Sequence, residues 1–206
     1  GEILFNNREK EVNLVDYGPD SKEMRSIRGQ DISMIFQEPM ASLAPVYTIG
    51  AQMMEAVMVH QKKKDKKAAK ELCMEMLREV GMPDPEQKFK SYPHQLSGGQ
   101  CQRLALARAL LHDSDIYIFD EATSNIDAES ENQIMKVIHG LAGTKTVFLI
   151  SHRLANVAGA DQILMIREGR IAEQGTHAEL MKMQGDYARL YTGQKELEKY
   201  TGEGAA

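Results

Sequence analysis

The chain has 206 residues, with 25 Lys and Arg against 30 Asp and Glu, for a net charge of -5. Apolar residues make up 42% and charged residues 27%, a globular balance that argues against wholesale disorder. The acidic excess gives no electrostatic footprint for a dedicated nucleic-acid binder, and no apolar stretch approaches the roughly 20 residues of a transmembrane helix. In chain order, Glu2–Phe5 reads as a short strand already in progress at Gly1, and Asp31–Gln37 as a second strand. Pro39 and Pro45 then break regular structure. From Thr48 to about Gly81 the pattern is helical: Ile49, Met53, Ala56 and Val57 share one face, as do Leu72, Met76, Leu77 and Val80. The lysine run Lys62–Lys67 between them reads as a solvated helix start. Gly81–Ser91, with Pro83 and Pro85, reads as a loop.

A helix is expected from Ser97 to about His112, then a buried strand at Ile116–Phe119. Asp127 is placed to cap a helix running to about His139, with Glu129 and Glu131 in its first turn. Thr146–Ile150 is a further strand expected to be buried, and Ile163–Ile166 with Arg170–Glu173 forms a hairpin around Glu168-Gly169. Thr176 and Glu179 have capping-box spacing, and the tail after Tyr191 is polar and expected to fray. Helices alternating with apolar strands imply an α/β fold with a mostly parallel sheet and a helical lobe inserted into it. Cys73 and Cys101 lack metal-ligand spacing and read as free thiols of a reducing compartment.

Four features carry chemistry. Leu96-Ser97-Gly98-Gly99-Gln100, followed by Gln102-Arg103, opens a helix: Ser97 is a good N-cap, and two glycines let a backbone approach a ligand at the positive end of the helix dipole. Taken alone, such a motif is often only a turn. Ile116-Tyr117-Ile118-Phe119-Asp120-Glu121 is an apolar strand ending in two carboxylates, at the edge where open α/β sheets bind ligands. One carboxylate can serve a Mg²⁺ shell and the next can orient a water, although a strand ending in a polar turn has the same pattern. His152 follows the strand Thr146–Ile150, and Gln37 ends the strand Asp31–Phe36. Either residue alone says little; their place at strand ends gives them interest.

In order and spacing these features resemble the ATP-binding domain of ABC transporters, from Gly1 to about Tyr191. The resemblance makes Leu96–Gln100 the signature motif, Asp120 the Walker B carboxylate, Ser124-Asn125-Ile126-Asp127 the D-loop, Gln37 the Q-loop and His152 the H-loop switch. It implies ATP and Mg²⁺ as cofactors. Asp120 would hold the metal through water and Gln37 would reach metal and water. Glu121 would act as general base and His152 would contact the γ-phosphate. Ser97, Gly98, Gly99 and Gln100, with Asp127, would meet ATP bound to the opposite subunit of a head-to-tail dimer. The implied organisation is a P-loop NTPase-like core over residues 1–37 and 96–191, a helical lobe over 38–95 facing a separate transmembrane permease, and a polar tail over 192–206. The implied location is peripheral, at the cytoplasmic face of the membrane, with no nucleic-acid partner.

The family's phosphate loop, Gly-x-x-x-x-Gly-Lys-Ser/Thr, has no match: the chain contains no Gly-Lys dipeptide, and Gly143-Thr144-Lys145-Thr146 has the wrong spacing and leads into a strand. The first strand, the adenine-stacking aromatic and the phosphate-loop helix would therefore precede Gly1. Met34–Met40 and Ser91–Gln95 resemble dipeptide and oligopeptide importer ATPases, whereas Ile150–Ala155, Gln174–His177 and Asp186–Tyr191 resemble exporter ATPase domains. The resemblance thus implies an ATP-hydrolysing, energy-coupling subunit of a peptide-type importer. The alternatives are an exporter ATPase domain, or a non-hydrolysing subunit that supplies only the signature motif in trans.

Overall fold

The computed structural model describes residues 1–6, 10–60, 65–124 and 126–203, in two units, Gly1–Ile150 and Ser151–Ala206. The first unit opens with β1 (Leu4–Asn6) and β2 (Glu11–Asn13), an antiparallel pair in which Phe5 faces Val12. Helix α1 (Lys22–Ile27), capped by the Ser21 hydroxyl on the Met24 amide, leads to β3 (Ile32–Ile35). Neither β2 nor α1 was expected, because elements this short show little periodicity. Three helices follow: α2 (Ile49–His60), α3 (Lys66–Glu79) and α4 (Pro85–Lys90). Then come α5 (Gly98–Leu110), β4 (Ile116–Asp120), α6 (Ala128–Leu141) and β5 (Thr146–Ile150).

The expected parallel sheet is present, in the order β3-β4-β5, with Ile35, Phe119 and Leu149 in register. Side chains alternate between its faces. Ile35, Tyr117 and Phe119 are buried in a core shared with Leu104, Leu106 and Ala107 of α5 and Ile134 and Ile138 of α6. The opposite face carries Met34, Ile118 and Phe148 in one row and is open at its margins, with Phe148 55% and Ile150 52% exposed. The expectation of a buried strand at Thr146–Ile150 is therefore corrected. Only Val147 and Leu149 pack against the core, and the apolar run reflects a strand covered on one side.

The apolar positions of α2 and α3 join the same core, including Ile49, Met53, Val57, Cys73, Leu77 and Val80. Of the lysine run, Lys62–Lys64 lie outside the described residues; Lys66 and Lys67 are exposed, and Asp65 caps α3 at the Lys67 amide. The loop expected at Gly81–Ser91 contains α4. Pro85 sits in its first turn, where a missing N–H is harmless and the fixed φ favours the helix.

The second unit contains α7 (Leu154–Val157), β6 (Ile163–Arg167), β7 (Arg170–Gly175), α8 (His177–Met183) and α9 (Asp186–Glu203). The hairpin turns as expected at Glu168-Gly169, both at positive φ, a conformation that matches the twist of the paired strands. Thr176 and Glu179 form the expected capping box. The segment after Tyr191 does not fray at 192 but stays helical to Glu203. Gln194 accepts from the Leu154 amide and donates to the His152 carbonyl, tying α9 back to its own unit. Among the described residues, no helix is long and apolar enough to cross a membrane.

Candidate functional site

Parallel pairing brings the C-terminal ends of β3 and β4 together. Gln37 lies two residues past β3, and Asp120 and Glu121 stand at the end of β4. Glu121 has φ 48, a left-handed conformation that a non-glycine residue adopts only when its surroundings enforce it. Here its amide donates to the Ile150 carbonyl at 3.0 Å and its carbonyl accepts from the Ser124 amide at 2.9 Å. Gln37 Nε2 donates to Glu121 Oε2 at 2.9 Å. A residue singled out before the helical segment and one singled out far beyond it thus meet directly.

The glycine-rich motif opens α5 as expected. Ser97 Oγ accepts from the Gln100 amide at 3.3 Å and Gln100 Oε1 accepts from the Ser97 amide at 3.2 Å. This closed capping box occupies the Gln100 side-chain oxygen and leaves the amides of Gly98 and Gly99 at the open end of the helix. The two glycines differ. A Cβ on Gly98 would meet nothing within 4 Å, so this position has room for a ligand. A Cβ on Gly99 would lie 2.9 Å from Ser130 Oγ, so its smallness serves the close approach of α5 to α6.

Asp127 caps α6, accepting from the Ser130 amide at 2.8 Å. That bond, the Ser130 hydroxyl and the nearby Arg103 guanidinium hold its carboxyl below the usual carboxylate range. Asn125 of the same segment lies outside the described residues. Two neighbours of the motif had no role assigned from sequence. Gln102 Nε2 donates to the Ser124 carbonyl at 2.9 Å, and Arg103 Nη2 donates to Ser130 Oγ at 2.9 Å while Nη1 donates to the Gly81 carbonyl. Their signal in the sequence is two polar side chains next to the apolar run Leu104–Ala107 of the same helix, of which Leu104, Leu106 and Ala107 are buried.

His152 belongs to the second unit, where it is exposed and its carbonyl accepts from Gln194 Nε2 at 2.7 Å. Gly143–Thr146 is no phosphate loop. Gly143 turns at φ 84 into β5, and Lys145 Nζ is paired with Asp113 Oδ1 at 2.8 Å.

The donors at the strand ends are two carboxylates and an amide oxygen, hard ligands of the kind Mg²⁺ accepts in small number beside water and phosphate. Among the described residues, no three His, Cys, Asp or Glu side chains gather into a metal cage.

The ABC transporter family profile matches residues 1–124. The dipeptide transport ATP-binding protein DppD of Bacillus subtilis (strain 168) is 44% identical over 183 residues, 87% of this chain and 52% of that protein. A bacterial Atm1-family ABC exporter with ATP bound superposes with a TM-score of 0.67 at 28% identity, over 83% of this chain and 29% of that one. The ATP-binding cassette MJ0796, in a dimeric post-hydrolysis state bound to ADP and Pi, superposes with a TM-score of 0.72 at 24% identity, over 81% of this chain and 70% of that one, a likeness of fold. The chain spans about half the length of curated relatives such as DppD. It belongs to the ABC transporter family.

Proposed function

We infer that this chain is part of an ATP-hydrolysing subunit that drives a peptide importer. The observation that carries the reading is the contact between Gln37 and Glu121 at the ends of neighbouring parallel strands. It joins a water-orienting amide to a carboxylate at the sheet edge where ligands of such folds bind. MgATP, when bound, supplies the scissile phosphoanhydride and the metal charge. Asp120 would hold the metal through water, and Glu121 would take the proton of the attacking water. Gln37 would orient that water, and the family resemblance assigns His152 to the terminal phosphate. Catalysis of this kind rests on positioning and charge stabilisation.

Ser97 and Gly98, with the open amides of α5, face a nucleotide held by a second ATPase subunit in a head-to-tail dimer. Gly99 supports that surface from behind, Gln100 closes the cap, and Asp127 holds the adjoining helix start. The helical lobe over 38–95 presses on a separate membrane-spanning permease, which places the subunit peripherally at the cytoplasmic face. The import direction and peptide substrate rest on the likeness to the dipeptide transport ATP-binding protein DppD. The test is uptake of labelled dipeptides by membrane vesicles carrying the whole protein and its permease, with ATP on the cytoplasmic side. ATP-dependent accumulation supports import. ATP-dependent loss of preloaded peptide supports the exporter reading instead.

A further inference from the structure

Two polar side chains of α5 have no part in the chemistry above, yet both are buried: Gln102 is 5% and Arg103 is 8% exposed. Burial of an amide and a guanidinium is unfavourable unless their groups are bonded, so the partners they reach are informative. Gln102 reaches the Ser124 carbonyl, in the middle of the segment from Glu121 to Asp127. Arg103 reaches the Ser130 hydroxyl, one helical turn into α6, beside the amide that Asp127 caps. The same guanidinium donates to the carbonyl of Gly81, just past the C-terminal end of α3. Gly99, three and four residues before them, is pressed against Ser130. One face of α5 therefore holds Ser124, the first turn of α6 at Ser130 and the exit of the helical block at Gly81.

We propose that Gln102 and Arg103 are positioning residues, which hold the segment behind Glu121 in register with the glycine-rich start of α5 and with the end of α3. The consequence for turnover rests on the ATPase reading above. Displacement of the helical block is carried through Gly81 and Arg103 to the start of α6, and through Gln102 to the backbone that fixes Glu121 in its left-handed conformation. The contact has capacity in reserve. Gln102 Oε1 and Ser124 Oγ are buried acceptor and donor atoms with no hydrogen bond among the described residues, although their two residues already touch. A second arrangement, with the Ser124 hydroxyl donating to Gln102 Oε1, is chemically available to the segment.

The test uses the whole protein with Gln102→Met, which keeps the length and removes the amide, and Arg103→Lys, which keeps the charge and cannot span both partners. In each, kcat for ATP falls about tenfold while KM for ATP stays within about twofold. Leu106→Val, a buried change on the same helix, serves as a control for lost stability and keeps kcat near the parent value. Hydrogen exchange on the same proteins shows the Ser124 and Ser130 amides exchanging about tenfold faster in the two variants, with the Phe119 amide unchanged. Unmoved protection at Ser124 and Ser130 overturns the proposal, as does an equal fall of kcat in the control. If the parent protein turns over no ATP, the ATPase reading fails, and the exchange result alone decides whether these side chains hold the segment.

Discussion

At Gly99 a single missing methyl sets how closely α5 and α6 approach, whereas Gly98 beside it faces open space. Gly99→Ala is expected to destabilise the protein by about 1–3 kcal/mol through overpacking against Ser130. Gly98→Ala stays within about 0.5 kcal/mol, as an exposed change does. Denaturant unfolding of the two variants distinguishes them, and equal midpoints would contradict the difference in role. Residue type and order single out Gln37, Ser97, Asp120, Glu121 and Asp127 in the sequence, and the structure bonds Gln37 to Glu121 and makes Ser97 and Asp127 helix caps. The division of labour between the glycines was not legible, because spacing says nothing about what faces each Cα. The bonds of Gln102 and Arg103 were hidden for the same reason: their partners lie 22 and 27 positions away, in another loop and helix.

Among the elements, caps and hairpin were read correctly because local chemistry determines them: Ser97, Asp127 and Thr176 each cap the helix they were expected to open. Proline misled at α4, since it breaks a helix interior but suits a first turn. The polar C-terminal segment misled in the other direction. Its helix is fixed by Gln194, whose amide bonds residues some 40 positions earlier, as no local propensity could show. Packing of the helices also protects both cysteines. Cys73 on α3 is fully buried and its thiol is pushed up to about 11, and burial raises the Cys101 thiol on α5 as well. Because the thiolate is the reactive form, iodoacetamide at pH 8 is expected to modify neither cysteine in the folded protein and both in denaturant. Rapid native-state labelling of Cys101, read by mass spectrometry, would contradict the packing of α5.

For the molecule as a whole, the sheet carries one deeply packed face and one open at its margins. Phe119 is fully buried and Phe148, on the neighbouring strand, is 55% exposed. Phe119→Ala is expected to cost about 3–5 kcal/mol and Phe148→Ala much less, within about 1 kcal/mol, read by chemical denaturation. Equal losses would contradict the exposure of Phe148. Parallel pairing was legible from the alternation of helices with apolar strands, but the order β3-β4-β5 was not, because periodicity does not say which strands are neighbours. Which strand face is covered was not legible either, because a run such as Val147–Ile150 reads the same in both cases. In the proposed reaction Glu121, bonded to Gln37 at the end of β4, takes the proton of the attacking water. The most direct test is ATP turnover by the whole protein and its Glu121→Gln variant, with nucleotide binding measured alongside. Binding is expected to be unchanged and turnover slowed at least about a hundredfold. Unchanged turnover in the variant would contradict that role of Glu121.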